Sequence, residues 1–159
     1  GPGIRAQYPL SAYATPREAF VRLTTDALFA CQSRRVARTL TQVQEEPVYR
    51  YLFTHRLEND AQQKALGAVH TIEHMFFFPW QGSYRPTATD LKLQGMMVQY
   101  WTQMAKSGRT GSAGGVAWPA YTKQNDAYLE LGPVPAVKSG PSTAHCEFWD
   151  TVKLPWPHL

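Results

Sequence analysis

Residues 70 to 74 read His70-Thr71-Ile72-Glu73-His74, an H-x-x-E-H pattern. On an α-helix this spacing puts two imidazoles one turn apart, where they bind zinc while the glutamate acts as base. A third ligand would have to come from downstream, with Glu130 or Glu147 as candidates. A five-residue match arises often by chance, and Gly67 sits just where a metal-holding helix needs rigidity. The plainer reading is one buried, hydrogen-bonded histidine and one exposed one. A serine nucleophile needs a strained elbow, and no G-x-S-x-G occurs in the 159 residues. Ser11, Ser33 and Ser142 read as caps or surface residues, and the single Gly-Gly pair, Gly114-Gly115, lies in a late loop.

Thr15-Pro16 followed by Glu18 provides a cap, a proline at the first helical position and an early acid, so a helix is expected near 16–24. Thr25 and Asp26 are placed to cap a second helix to about residue 41, with Leu28, Phe29, Val36, Ala37 and Leu40 on one face. Pro47 opens Val48-Tyr49-Arg50-Tyr51-Leu52-Phe53-Thr54, a run of β-branched and aromatic residues that reads as a strand. A long loop is expected from Glu58 to Pro86, carrying the histidine cluster. Asp90 to Lys106 has a broad apolar face and reads as a helix ended by Gly108. Trp118 to Tyr121 and Tyr128 to Leu131 flank a Gln124-Asn125-Asp126 turn and predict a hairpin, followed by a final helix over about 142–152.

With 43% hydrophobic, 13% aromatic and 18% charged residues, the composition is that of a packed globular chain. The formal charge is +4, and only Arg34, Arg35 and Arg38 cluster, at helical spacing that reads as a solvated face. Nucleic acid is not implied. No apolar run reaches the ~20 residues of a membrane span, so no membrane partner is expected. Two cysteines allow either two buried free thiols or one intrachain bridge.

An ordered series of landmarks then changes the weight of these readings. Thr25-Asp26-Ala27-Leu28-Phe29-Ala30-Cys31 with Arg34, Arg35 and Ala37 comes first, then Pro47 to Phe53 and Gly67-Ala68-Val69-His70-Thr71-Ile72-Glu73. Tyr100 to Gly108, Trp118-Pro119-Ala120-Tyr121, Leu129-Glu130-Leu131 and Cys146-Glu147-Phe148-Trp149 follow in order. The series resembles the C-terminal portion of the type B carboxylesterase and cholinesterase family.

The resemblance implies an α/β fold, with residues 1–159 as the C-terminal segment of one α/β-hydrolase domain: late sheet strands with packing helices, incomplete without an N-terminal part. His70 falls on the family's catalytic histidine, the general base of a Ser-His-acid triad. Glu73 falls on the acid three residues later, which supports that histidine from behind. The resemblance also pairs Cys31 with Cys146, and such a bond implies a secreted or periplasmic protein. No cofactor or metal is implied. Because the triad order in this fold is Ser, acid, His, the nucleophile and acid are expected on a companion N-terminal chain or segment, with a small-molecule ester as substrate. One strand and a short hairpin leave a sheet edge unfinished, and the aromatic residues are expected to supply a docking surface for the companion. Two alternatives stand beside this reading: a cholinesterase-like binding protein without catalysis, and a zinc peptidase built on H-x-x-E-H.

Overall fold

The computed structural model describes residues 1–152. A short helix α1 (Pro2–Gln7) precedes α2 (Pro16–Thr25), a five-residue π turn (Asp26–Ala30) and α3 (Cys31–Val43), which run on without a break. The start of α2 follows the expected chemistry: the Thr15 hydroxyl accepts from the Glu18 N–H, and the Glu18 carboxylate accepts from the Ala14 N–H. The break expected at Thr25-Asp26 is absent. Asp26 lies inside the rod, and its carboxylate takes bonds from distant residues instead of capping a new helix.

The face that α3 buries also differs from expectation. Of the expected apolar face Ala37 is buried and Leu40 half-buried, but Leu28, Phe29 and Val36 are exposed, and Cys31 and Arg34 take the inward positions beside Ala37. Two of the inward positions serve a covalent bond and ion pairs, so the larger apolar side chains are left facing out.

Strand β1 (Tyr51–Phe53) is shorter than the seven residues expected and pairs in parallel with β4 (Ala127–Leu131), with Leu52 opposite Glu130. The antiparallel partner of β4 is β5 (Ala136–Ser139), so the order is β1-β4-β5 and the outer side of β1 has no neighbour among the described residues. This corrects the expected hairpin. Pro119 has no N–H to give a ladder, and the Trp118 to Tyr121 segment instead crosses the strand's approach. There the Trp118 indole donates to the Arg50 carbonyl at 2.9 Å and the Tyr121 N–H to the Val48 carbonyl at 2.7 Å.

A two-residue ladder joins β2 (Ser112–Ala113) to β3 (Val116–Ala117). The expected long loop holds α4 (Ala61–Leu66) and a 3-10 turn (Ile72–Phe76). Helix α5 (Ala88–Ser107) has a full capping box between Thr87 and Asp90 and ends at Gly108 in the left-handed region. Its buried Leu93, Met96, Met97 and Tyr100 pack with Phe76, Trp118, Leu129 and Leu131 to form the main core. Helix α6 (Thr143–Thr151) closes the second cluster, where Tyr8, Ala27 and Trp149 surround the Cys31–Cys146 disulfide, whose Cα atoms are 5.0 Å apart.

The basic group on α3 is not a solvated face. Arg34 is fully buried, and Arg34, Arg35 and Arg38 all reach Asp150 on α6, at 3.0, 3.3 and 3.3 Å. Arg50 completes this framework at 2.7 Å from Asp126.

Candidate active site

His70 sits in a tight turn between α4 and the 3-10 segment. The Asp60 carboxylate caps α4 by accepting from the Gln62 and Gln63 N–H groups at 2.9 Å, and Gly67 ends it at a φ of 82°, which only glycine adopts freely. The Val69 N–H then bonds the Gly67 carbonyl at 3.1 Å, and the Ile72 N–H bonds the Val69 carbonyl at 3.2 Å, so His70 rides at the tip. Immediately after it, Thr71 holds a φ of 77°, a costly state for a β-branched residue. Fully buried Phe76 pins the far end of the turn against Phe53, His55 and Trp80.

The His70 ring is exposed and rests on Phe29, with ring centroids 4.8 Å apart. Neither of its nitrogens has a hydrogen-bond partner among the described residues. Glu73, in the 3-10 turn, is half-buried and close enough for its charge to add to burial in raising the Tyr51 phenol above its ordinary value. An imidazole held at a turn tip with both nitrogens unengaged can exchange a proton with whatever docks on this face.

Residues 70 to 74 do not form the α-helix that H-x-x-E-H requires. Left-handed Thr71 separates His70 from the 3-10 turn bearing His74, and Glu130 is engaged by Lys138 on the neighbouring strand. The zinc-peptidase geometry is therefore not built. The aromatic residues after the turn divide: Phe76 is core, Trp80 donates its indole N–H to Gln94 at 3.1 Å, and Phe78 is exposed.

Two acid–histidine pairs carry no signature in the sequence. His55 and Asp90 are both fully buried, with Nε2 2.6 Å from Oδ1. The other Asp90 oxygen accepts from the Tyr84 hydroxyl and the Thr87 N–H at 2.7 Å. Burial pushes the Asp90 carboxyl up, but the bonds from Thr87, His55 and Tyr84 outweigh it and hold the group below the usual carboxylate range. Burial and the bond to Asp90 push the Tyr84 phenol up to about 12. The pair resembles two-thirds of a triad, but it is sealed from substrate and ties the start of α5 to the segment after β1.

The second pair brings three triad residue types together. Asp26, fully buried, accepts from Ser142 at 2.5 Å, His145 Nδ1 at 2.8 Å, Arg22 at 3.0 Å and Tyr8 at 3.1 Å. The serine is not a simple cap of α6. Its hydroxyl and the imidazole both bond the carboxylate rather than each other, so the Ser-to-His hydrogen bond of a triad is not made. Both pairs join residues far apart in the chain, 35 positions for His55 and Asp90 and 119 for Asp26 and His145, so no local spacing announces them.

Comparison with known proteins agrees with this architecture. The carboxylesterase family matches residues 5–149. Acetylcholinesterase of Gallus gallus is 31% identical over 137 residues, covering 84% of this chain and 18% of the relative. Bile salt-activated lipase of Bos taurus is 28% identical over 148 residues, covering 87% and 25%, and carboxylesterase 5A of Felis catus 29% over 151 residues, covering 87% and 27%. The chain thus spans about a fifth to a quarter of the length of these relatives. A mixed α/β chain with a partial sheet and packing helices is what part of an α/β-hydrolase looks like, and the chain belongs to the carboxylesterase family.

Proposed function

We propose that this chain is the histidine-bearing part of a carboxylic ester hydrolase that works by a Ser-His-acid mechanism. His70 is the general base: it takes the proton of a serine hydroxyl and returns it to the leaving alcohol. Glu73 supports the turn that carries it. The serine and the triad acid lie on a companion N-terminal chain or segment, and the substrate is a small-molecule ester. The observation that carries this reading is the His70 turn itself, a strained and exposed tip with a free imidazole, whereas His55 and His145 are tied to carboxylates. Exposed apolar residues around it, among them Phe29 and Val69, suit a face that the companion covers. The Cys31–Cys146 bond supports a secreted or periplasmic setting, because such bonds persist in oxidising compartments.

The test is His70→Ala in the protein assembled with its companion, assayed on a chromogenic ester. Loss of a triad member leaves only the oxyanion hole and binding, so kcat should fall by roughly three orders of magnitude or more with folding unchanged. Retention of more than about a tenth of the rate would refute the role. If the companion itself has no serine that reacts with a fluorophosphonate, the protein is a binding member of the family and not an enzyme.

A further inference from the structure

We infer that Phe29 is a positioning residue for the His70 imidazole, and that the π turn between Asp26 and Cys31 is the device that presents it. The inference rests on the proposed role of His70 and goes beyond it. Phe29 is exposed although it belongs to a helix, and its ring lies 4.8 Å from the His70 ring at an interplanar angle of 39°. This is contact geometry for two rings, and the described residues offer the imidazole no hydrogen bond that would otherwise fix its rotation.

The surroundings of Phe29 make it a firm support. The π turn widens the helix for five residues, and the Cys31 N–H bonds the Asp26 carbonyl across it. Side chains tie two carbonyls of the turn to their surroundings: the Gln32 amide donates to the Ala27 carbonyl at 3.2 Å and the Arg50 guanidinium to the Ala30 carbonyl at 3.5 Å. On one side of the turn the fully buried Asp26 is fixed by Tyr8, Arg22, Ser142 and His145. On the other, Cys31 is bonded covalently to α6. Phe29 therefore projects from a segment clamped at both ends onto a ring that only a turn tip holds. In a triad, a base displaced by about 1 Å loses on the order of a hundredfold in rate, so a hydrophobic wall that narrows the rotation of His70 acts on kcat.

The experiment compares Phe29→Ala, Phe29→Leu and Phe29→Tyr in the protein assembled with its companion. Active serine is counted with a fluorophosphonate, and kcat and KM are measured separately on one small and one bulky ester. Phe29→Ala should lower kcat per active serine about tenfold on both esters with KM within about twofold. Phe29→Tyr should keep most of the rate, because the ring contact survives. Phe29→Leu covers the case in which the alanine variant does not fold, and should give an intermediate loss. A rise in KM with unchanged kcat would overturn the inference, since Phe29 would then only line the substrate. So would an equal loss in Phe29→Tyr, or a loss matched by a lower melting temperature in all three variants. Failure of the underlying reading shows separately, as full activity in His70→Ala.

Discussion

The Cys31–Cys146 bond closes a loop of 115 residues, and both of its ends lie within this chain, so the loop length does not depend on how the companion is attached. In the chain-entropy treatment the constraint removes 2.1 + 1.5R ln n cal/mol/K from the unfolded ensemble. For a loop of this size that is ~16 cal/mol/K, or ~5 kcal/mol at room temperature. Strain and residual structure usually reduce the figure, and a loss of about 2–5 kcal/mol is expected when the bond is removed. Both cysteines are fully buried among Tyr8, Ala27 and Trp149, so Cys31→Ala with Cys146→Ala adds a packing loss that simple reduction does not. Urea unfolding of the assembled protein in three states, oxidised, reduced and double alanine, separates the two contributions. The reduced form should lie well below the oxidised form, and the double alanine form lower still by the packing loss. A difference under about 1 kcal/mol between oxidised and reduced protein would refute the chain-entropy reasoning, because loop closure would then not be what the bond contributes.

Asp90→Ala should destabilise by about 3 kcal/mol or more in urea unfolding, because it removes the Asp90 half of the α5 capping box and leaves buried His55 unpaired. The wild-type Asp90 carboxyl is held below its unfolded value, so its contribution is fully present above about pH 4 and is lost as the pH falls through the lower folded value. A stability profile whose acid limb is the same in Asp90→Asn would contradict this. Thr71→Gly should raise stability by up to about 1 kcal/mol, since relief of ~1–2 kcal/mol of left-handed strain exceeds the ~0.5–1 kcal/mol entropy cost of glycine; a loss of stability would show that the strain is absent. The isolated chain should bind a hydrophobic dye and unfold without a sharp transition, as Phe20, Val36, Val43 and Phe78 are each more than half exposed and one side of β1 has no neighbour among the described residues. Cooperative melting of a pure monomer would count against it.

Elements whose ends are written locally are legible in the amino-acid sequence. Thr15-Pro16-Glu18 starts α2, and Gly108 ends α5. The likeness to the family supplied the disulfide partner and the expected role of His70. What could not be read is set by contacts far apart in the chain. Parallel pairing of Leu52 with Glu130 leaves no mark in either segment, and the true β4–β5 connection hides behind Gly132-Pro133-Val134-Pro135, which reads as a break. The arginine cluster misled for a related reason. Lys and Arg at helical spacing are solvated in most proteins, and only the remote Asp150 and Asp126 make burial of Arg34 tolerable.

That inversion bears on the proposed function. A helix normally buries its apolar stripe and exposes its charges, yet here fully buried Arg34 and Asp26 are matched by exposed Leu28, Phe29, Val36 and Val43 on the same rod. A buried charge network contributes little net stability, but it fixes orientation, since a shifted α6 would strand Arg34 without Asp150. The rod is thereby locked from within by directional contacts, and the non-directional apolar contacts are left for the outside. Phe29, on that outer face, is also the residue that touches His70. Under the proposed function the surface that receives the companion and the site that it completes are thus one continuous face. A companion that covers the exposed apolar residues of the π turn and α3 brings its serine toward the imidazole in the same step, and docking and the assembly of the triad become a single event.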